Sequence, residues 1–559
     1  MNDFGVTRLT RWSAALLRAV AITVLVGCVS VGVTAQAIAR MNVVVVMTDD
    51  QRFDAVDHMP NVKALAAGGV SFTNAYMPTP LCGPARASMF GGGFLAKNTG
   101  VLDNTPPNGG AALFDDSMNF GRVMQQAGYQ TLYVGKWIND HWRLGDYVPP
   151  GWSRFVGRRS DVLRTDWSND IDYVIGSTST DSANGTVYTL AGQYLAYYER
   201  DQVLNFLDRT SPDKPFFVFW STAAPHLSAT PAPGDEALFA NYLYRGRGYG
   251  ETDLTDKPAW VRYRKATSID DESVRDQLRS VQAVDRGVGA LIDKLRAIGQ
   301  LNNTMIVFTS DNGFQWGEHS YLWGKKYPYE ESARVPLIVS MPGIAPRTDS
   351  HLVAASLDIT PTMYALAGVW RKSDGRNLLP LLRDPTAKWR QELFLEQYGT
   401  GNQGAVIWAG LRRSKWKYIR YWTGEEELYN LELDPYELKS RHAEPGLATL
   451  KANMANRTTQ LLGLAILPVK AVPAARRYVS YSYDFETWGG VGPFVWKVES
   501  GKLPPGLVLN TGTGVVSGTP IATGTYTFAL RVTDSGAVQS QTSRPRTFVT
   551  GALTLSVGT

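Results

Sequence analysis

Three groups of residues have the types and spacing to act on a charged substrate. The stretch "TPLCGPARASMFGG" holds Cys82, one of only two cysteines in 559 residues. Pro84 suits the first turn of a helix, which puts residue 82 near a helix amino end, where free backbone N–H groups favour anions. Arg86, four residues on, adds a fixed cation one turn away. These are the surroundings of an oxyanion site more than of a core thiol. Direct attack by a thiolate, as in cysteine-dependent phosphatases, would need the arginine six positions after the cysteine, and that position is Ser88.

The second and third groups are oxygen-bearing pairs at strand ends. "MNVVVVMTDDQR" stops abruptly at Asp49 and Asp50, and "NNTMIVFTSDNGF" repeats the design at Asp311 and Asn312. Neighbours in a continuing strand point to opposite faces, but where the strand breaks into a loop both side chains can turn to one point. Adjacent carboxylates repel unless a proton or cation offsets them. Four such oxygens suit a hard cation, Ca2+ ahead of Mg2+. Each pair alone is more often a solvated turn; together they favour the cation.

These groups need a scaffold. The runs ending at residues 48 and 310, with "GYQTLYVGK" and "KPFFVFWSTAAPH" between them, are apolar throughout, as in strands buried on both faces. In "SVRDQLRSVQAVDRGVGALIDKLRAIG", Val281, Val284, Val288, Leu291, Ile292 and Leu295 recur at helical spacing and predict a crossover helix. The fold class is therefore α/β with a mostly parallel sheet, its functional groups beyond the carboxyl ends of the strands. From about 405 to 440, strand-like alternation predicts a small antiparallel subdomain, followed by a helix over "GLATLKANMANRTTQLLGLA". Beyond "ILPVKAVPAARR" short alternating runs between Gly and Pro turns predict a β-sandwich.

A hydrophobic content of 44% with 11% aromatics supports substantial cores. The first 39 residues join a basic flank (Arg8, Arg11, Arg18), the run "AVAITVLVGCVSVGV" and small residues, the pattern of an export signal. The run is shorter than the roughly 20 residues that span lipid, so the mature protein is expected to have no transmembrane span. "LVGC" also matches a lipoprotein box, which would leave Cys28 as a lipid anchor, whereas Ala37 and Ala39 offer ordinary cleavage. Either way the product is secreted or held in the cell envelope. Cys82 then has no second cysteine to pair with. The formal charge of +5 falls by two on removal of the leader, and its interspersed signs give no nucleic-acid surface.

"CGPAR" at 82–86 matches the Cys-x-Pro-Ser/Ala-Arg maturation motif of the sulfatase family. "MTDDQ", "GYQTLYVGKW", "APH" at 224–226 and "SDNGFQWGEHSYLWGKKYPYEESARVPLIV" follow in the order of that family, and "EELYNLELDPYEL" closes the region. The chain resembles formylglycine-dependent sulfatases over roughly 41–465, with phrasing nearest to N-acetylglucosamine-6-sulfatases and arylsulfatases. The tail resembles immunoglobulin-like modules of bacterial secreted proteins.

The resemblance implies an alkaline-phosphatase-like α/β domain over 40–400, its antiparallel C-terminal subdomain over 401–470 and an Ig-like module over 471–559. It implies that Asp49, Asp50, Asp311 and Asn312, with residue 82, bind calcium. Cys82, oxidised by a formylglycine-generating enzyme, would become an aldehyde hydrate. One hydroxyl attacks sulfur, and the other expels sulfate and restores the aldehyde, an exit that serine or cysteine lacks. Arg86 would hold the modified residue, Lys136 and Lys325 would contact sulfate, and His226 would serve the leaving group. His319, in "GEHS", reads either as a substrate contact on the rim or as a support of its own loop. The implied substrate is a sulfated carbohydrate or aryl sulfate.

Two departures refine this reading. Many sulfatases place a histidine two residues after the signature lysine, where this chain has Ile138; His141 follows, expected on a surface loop. "MFGGG" replaces the usual Leu-Thr-Gly-like segment. Trp137, Trp142, Trp316 and Trp323 are expected either in the core or on the rim as stacking platforms. The alternatives are a phosphonate or phosphodiester hydrolase of the same superfamily and a non-catalytic glycan-binding surface protein.

Overall fold

The computed structural model describes residues 40–559, apart from 107, 160–170, 179–182, 191, 265–268, 400–407, 464, 467–471, 489–492, 536–546 and 551. The segment 1–39, with its expected export signal and Cys28, lies outside the described residues. Among the described residues no helix is long and apolar enough to cross a membrane.

A ten-stranded sheet forms the centre. Its strands in chain order are β1 (Asn42–Thr48), β2 (Val70–Phe72), β3 (Gln130–Lys136), β4 (Arg154–Arg159) and β5 (Ile171–Gly176). They continue as β6 (Thr186–Leu190), β7 (Phe216–Ser221), β8 (Thr304–Ser310), β9 (Leu337–Ser340) and β10 (Arg347–Asp349). The spatial order is β10-β2-β9-β8-β1-β7-β3-β4-β5-β6. The inner five, β8-β1-β7-β3-β4, are parallel. Antiparallel pairs flank them at β8–β9 and β4–β5.

The apolar runs are explained by two-sided burial. Every residue of β1 is buried. Val43, Val45 and Met47 pack into one core, Val44 and Val46 into the other, the period of two that a strand imposes. On the first face lies helix α1 (Cys82–Phe90), with Ala85, Ala87, Met89 and Phe90 in the core.

The second face is covered by α2 (Asp271–Ala297), the predicted crossover helix. It starts at Asp270, whose carboxylate accepts from the N–H groups of Glu272 (3.1 Å) and Ser273 (3.3 Å), and it ends with Lys294 and Arg296 in the last turn. Both termini therefore complement the helix dipole. Val281, Val284, Val288, Leu291 and Leu295 are in the core, with Ile292 partly buried against it. At Gly287 the helix approaches the Trp220 ring so closely that a Cβ would lie 2.4 Å from it.

A four-stranded antiparallel sheet follows, with β11 (Glu392–Gln397), β12 (Trp408–Arg413), β13 (Trp416–Tyr421) and β14 (Glu426–Asn430) in sequential order. Helix α3 (Ala448–Leu462) packs Met454 against Leu411, Tyr418 and Leu428 of this sheet. The C-terminal β-module has a five-stranded and a three-stranded sheet around Phe485, Trp496, Phe528, Leu530 and Leu555.

Candidate active site

The carboxyl ends of β1 and β8 lie side by side, with Thr48 in register with Ser310. That pairing sets Asp49 and Asp50 beside Asp311 and Asn312, more than 260 residues away in sequence. Asp50 has a left-handed backbone (φ 65°), rare for a residue with a side chain. This twist ends the strand alternation, and both carboxylates meet in one pocket. The Asp50 N–H donates to Asp311 Oδ1 at 3.2 Å. All four side chains are 2% exposed or less.

Cys82 is the first residue of α1 and fully buried. Its Sγ lies 3.3 Å from Asp49 Oδ1, 3.9 Å from Asp50 Oδ1 and 2.8 Å from Lys325 Nζ. One turn on, Arg86 is also fully buried. It donates to Asp311 Oδ2 at 2.8 Å, Asp49 Oδ2 at 3.2 Å, the Lys136 carbonyl at 2.6 Å and Ser221 Oγ at 2.6 Å. Lys136 bonds Asp49, and Lys325 bonds Asp50. These two lysines keep 12% and 13% of their side-chain surface open, whereas the carboxylates keep almost none. The ammonium groups thus form the boundary between the acid cluster and the cleft.

His226 follows β7 and brings Nε2 to 3.7 Å from Asp50 Oδ2. Its Nδ1 is 2.6 Å from the Leu227 carbonyl; a carbonyl only accepts, so Nδ1 carries a proton and Nε2 is the atom free for chemistry. Desolvation by the cleft walls, then the Lys325 ammonium, pulls its pKa down to about 4, although 37% of the side chain remains open.

The pocket sets three buried carboxylates, Asp49, Asp50 and Asp311, against three cations, Arg86, Lys136 and Lys325. Burial works against the Asp49 carboxylate, yet Lys136, His226, Arg86 and Lys325 hold its pKa well below the usual range. Burial, reinforced by Asp49, pushes Asp311 up to about 6. Burial with Asp311 and Asp49 pushes the Cys82 thiol far up, so it is no thiolate nucleophile.

The pocket fits a hard cation. Ligand atoms of Asp49, Asp50, Cys82 and Asp311 all lie within 4.8 Å of one another, the span of two ligands on opposite sides of an ion with bonds of about 2.4 Å. Asn312 Nδ2 donates to Asp50 Oδ1 at 2.7 Å, while its buried Oδ1 has no partner among the described residues. A divalent ion would satisfy that oxygen and the crowded carboxylates together.

The structure therefore gathers Asp49, Asp50, Cys82, Arg86, Lys136, His226, Asp311, Asn312 and Lys325. His319 does not lie on the rim. It is fully buried, holding Glu251 Oε2 at 2.8 Å through Nδ1 and lying 3.9 Å from the Tyr329 ring. His141 is likewise buried, packed between Tyr147 and Phe155, and is not on a surface loop. Trp137 and Trp316 are core residues; Trp142 and Trp323 are half-buried.

Sequence reasoning missed the support behind Arg86. Ser221 Oγ donates to the Lys136 carbonyl at 2.8 Å while accepting from Arg86. Gly135 has φ +104°, and a Cβ there would fall 2.0 Å from the Ser221 carbonyl oxygen. Glycine inside a strand, next to the signature lysine, was the available signal.

Comparison with known proteins matches this geometry. The "Sulfatase" family model covers residues 41–369, that of "N-sulphoglucosamine sulphohydrolase, C-terminal" covers 317–463, and an Ig-domain model covers 464–548. The human N-acetylglucosamine-6-sulfatase is 31% identical over 405 residues, 68% of this chain and 72% of that protein. A choline-sulfatase of Rhizobium meliloti is 32% identical over 424 residues, 69% of this chain and 78% of that protein. A solved structure of a protein in complex with its substrate D-glucosamine-2-N,6-O-disulfate superposes with a TM-score of 0.66 at 25% identity, covering 76% of this chain and 97% of that one. With an acid cluster, a buried cysteine at a helix start and these matches in agreement, the chain belongs to the sulfatase family, enzymes that hydrolyse sulfuric esters.

Proposed function

We propose that this enzyme removes the sulfate monoester of a sulfated amino sugar, using residue 82 as a formylglycine and Asp49, Asp50, Asp311 and Asn312 as ligands of calcium. The observation that carries the reading is the position of Cys82, whose Sγ stands between the acid cluster and Lys325 at the floor of the cleft. That sulfur marks where the oxygens of a hydrated aldehyde would stand. Converted in this way, residue 82 supplies a hydroxyl for attack at sulfur and a second one for release of sulfate, while the cation offsets charge on the reacting oxygens.

The chain's own groups have separable tasks. Arg86 fixes Asp49 and Asp311, so the ligand set is held before any substrate arrives. Lys136 and Lys325, at the cleft boundary, are placed to turn from Asp49 and Asp50 towards the sulfate oxygens. His226 Nε2 is the atom placed to exchange a proton with the leaving alcohol, once protonated. The amino-sugar assignment is supported by the names of the relatives; the choline-sulfatase among them shows that family membership leaves the alcohol open.

The segment 1–39 is assigned to export, with the mature amino terminus at Cys28 or beyond Ala39, which amino-terminal sequencing distinguishes. The functional test compares sulfate release from glucosamine-6-sulfate and an aryl sulfate with hydrolysis of an aryl phosphodiester, for the matured chain and for Cys82→Ala. Sulfate release lost in the variant and restored to chelator-treated wild type by calcium is the expected result. Undiminished release from Cys82→Ala, or far faster turnover of the diester, overturns the proposal.

A further inference from the structure

A second group of ligand-bearing side chains is buried together outside the Asp49 pocket. We infer that His319, Glu331 and Glu437 form a buried site for a zinc-class divalent cation, distinct from the calcium pocket. Their ligand atoms all lie within 4.8 Å of one another, and each of the three side chains is buried. Bonds of about 2.1 Å set tetrahedral ligand edges of roughly 3.4 Å, so modest side-chain rotation closes the set around an ion.

The imidazole is prepared as metal ligands are. Its Nδ1 meets the Glu251 carboxylate at 2.8 Å, and Glu251 is anchored by Lys257 at 3.1 Å. A carboxylate on the far ring nitrogen is the support that fixes the tautomer of a ligating histidine. It leaves Nε2, which is buried and has no hydrogen-bond partner among the described residues. The Tyr329 ring, 3.9 Å away, holds the imidazole plane. Gln315, fully buried, has its amide nitrogen 3.4 Å from Glu331 and an Oε1 with no partner among the described residues, a candidate fourth donor.

The acids here exceed their partners. Lys417 meets Glu437 at 2.8 Å but is shared with Glu330 at 3.0 Å. Arg52, the guanidinium acting on Glu331, is committed to Asp54 and Glu318. One imidazole nitrogen with carboxylate oxygens selects zinc or a similar metal over calcium, which takes six to eight oxygens. The ion would link the segment between Asn312 and Lys325 (His319), the turn after Lys325 (Glu331) and the loop after β14 (Glu437).

The test loads the calcium-saturated full chain with Zn2+, dialyses it and counts metal by mass spectrometry. One retained zinc per chain is expected for wild type and for Asp311→Asn. His319→Gln/Glu331→Gln should bind Zn2+ at least 100-fold more weakly, and Glu251→Gln about 10–100-fold more weakly. No retained zinc in wild type, or equal retention in the double variant, overturns the site in favour of a shared proton between the acids. If the double variant does not fold, zinc X-ray absorption on the Asp311→Asn chain decides. Imidazole with oxygen ligands supports the site, whereas sulfur in the shell places the ion at Cys82 and refutes it.

Discussion

Replacing Arg86 with methionine keeps most of the aliphatic volume and removes one guanidinium from a fully buried position. Five acceptors lose a donor: Asp311 Oδ2, Asp49 Oδ2, the Lys136 carbonyl, Ser221 Oγ and, at 3.5 Å, the Trp137 carbonyl. At roughly 1–3 kcal/mol for each orphaned buried acceptor, the sum would approach the entire stability of a domain, about 5–15 kcal/mol. Part of that loss is recovered locally. Asp49 keeps Lys136, Asp311 keeps the Asp50 N–H, and the Lys136 carbonyl keeps Ser221. What remains is two buried carboxylates stripped of one shared cation, a cost of about 3–5 kcal/mol.

The assay is urea unfolding followed by tryptophan fluorescence, since Trp137, Trp152 and Trp220 are core residues of the same domain. Only the catalytic domain's transition is fitted, because a multidomain chain is not two-state. Saturating calcium should restore part of the loss by taking up the charge of Asp49 and Asp311, while turnover stays abolished. A loss below about 1 kcal/mol in chelator, far under the cost of breaking a buried pair, would mean the carboxylates are balanced by something other than Arg86. The charge ledger of the pocket would then be wrong.

Three further outcomes follow from the same geometry. Gly135→Ala places a methyl 2.0 Å from the Ser221 carbonyl. It should cost about 1–3 kcal/mol and, through displacement of the Lys136 carbonyl, about 100-fold in turnover; wild-type kcat would contradict this. His226→Gln should lower kcat about 100–10,000-fold for a sugar sulfate and far less for an aryl sulfate with an acidic phenol; a uniform loss across leaving groups would remove His226 from that role. A chain ending near residue 470 should hydrolyse a small aryl sulfate within twofold of the full protein. Lost turnover with an unchanged melt of the catalytic domain would give the β-module a part in the site.

Much of the centre was legible because burial on both faces writes itself as unbroken apolar runs. "NVVVVMT" and "TMIVFTS" could be paired from their matching polar ends. What sequence could not give was the turn at Asp50, where the left-handed backbone is imposed by neighbours and not by glycine. Nor could it give the depth of His319 and His141, since a histidine within polar text reads as exposed until other elements close over it. Ser221 was visible only as the end of a strand. Its link to Arg86 depends on β7 lying beside β3, a contact between residues 135 positions apart.

The complete enclosure of Cys82 and Arg86 has a temporal consequence. In the finished fold the Cys-Pro-Arg stretch is a fully buried helix start, so a protein that altered the thiol would have no surface there to seize. If Cys82 is converted as proposed, its editing would be a race against β1 finding β8, whose partners are separated by hundreds of residues. Such distant pairings close slowly, and that delay is the window in which the newly made chain can still be changed.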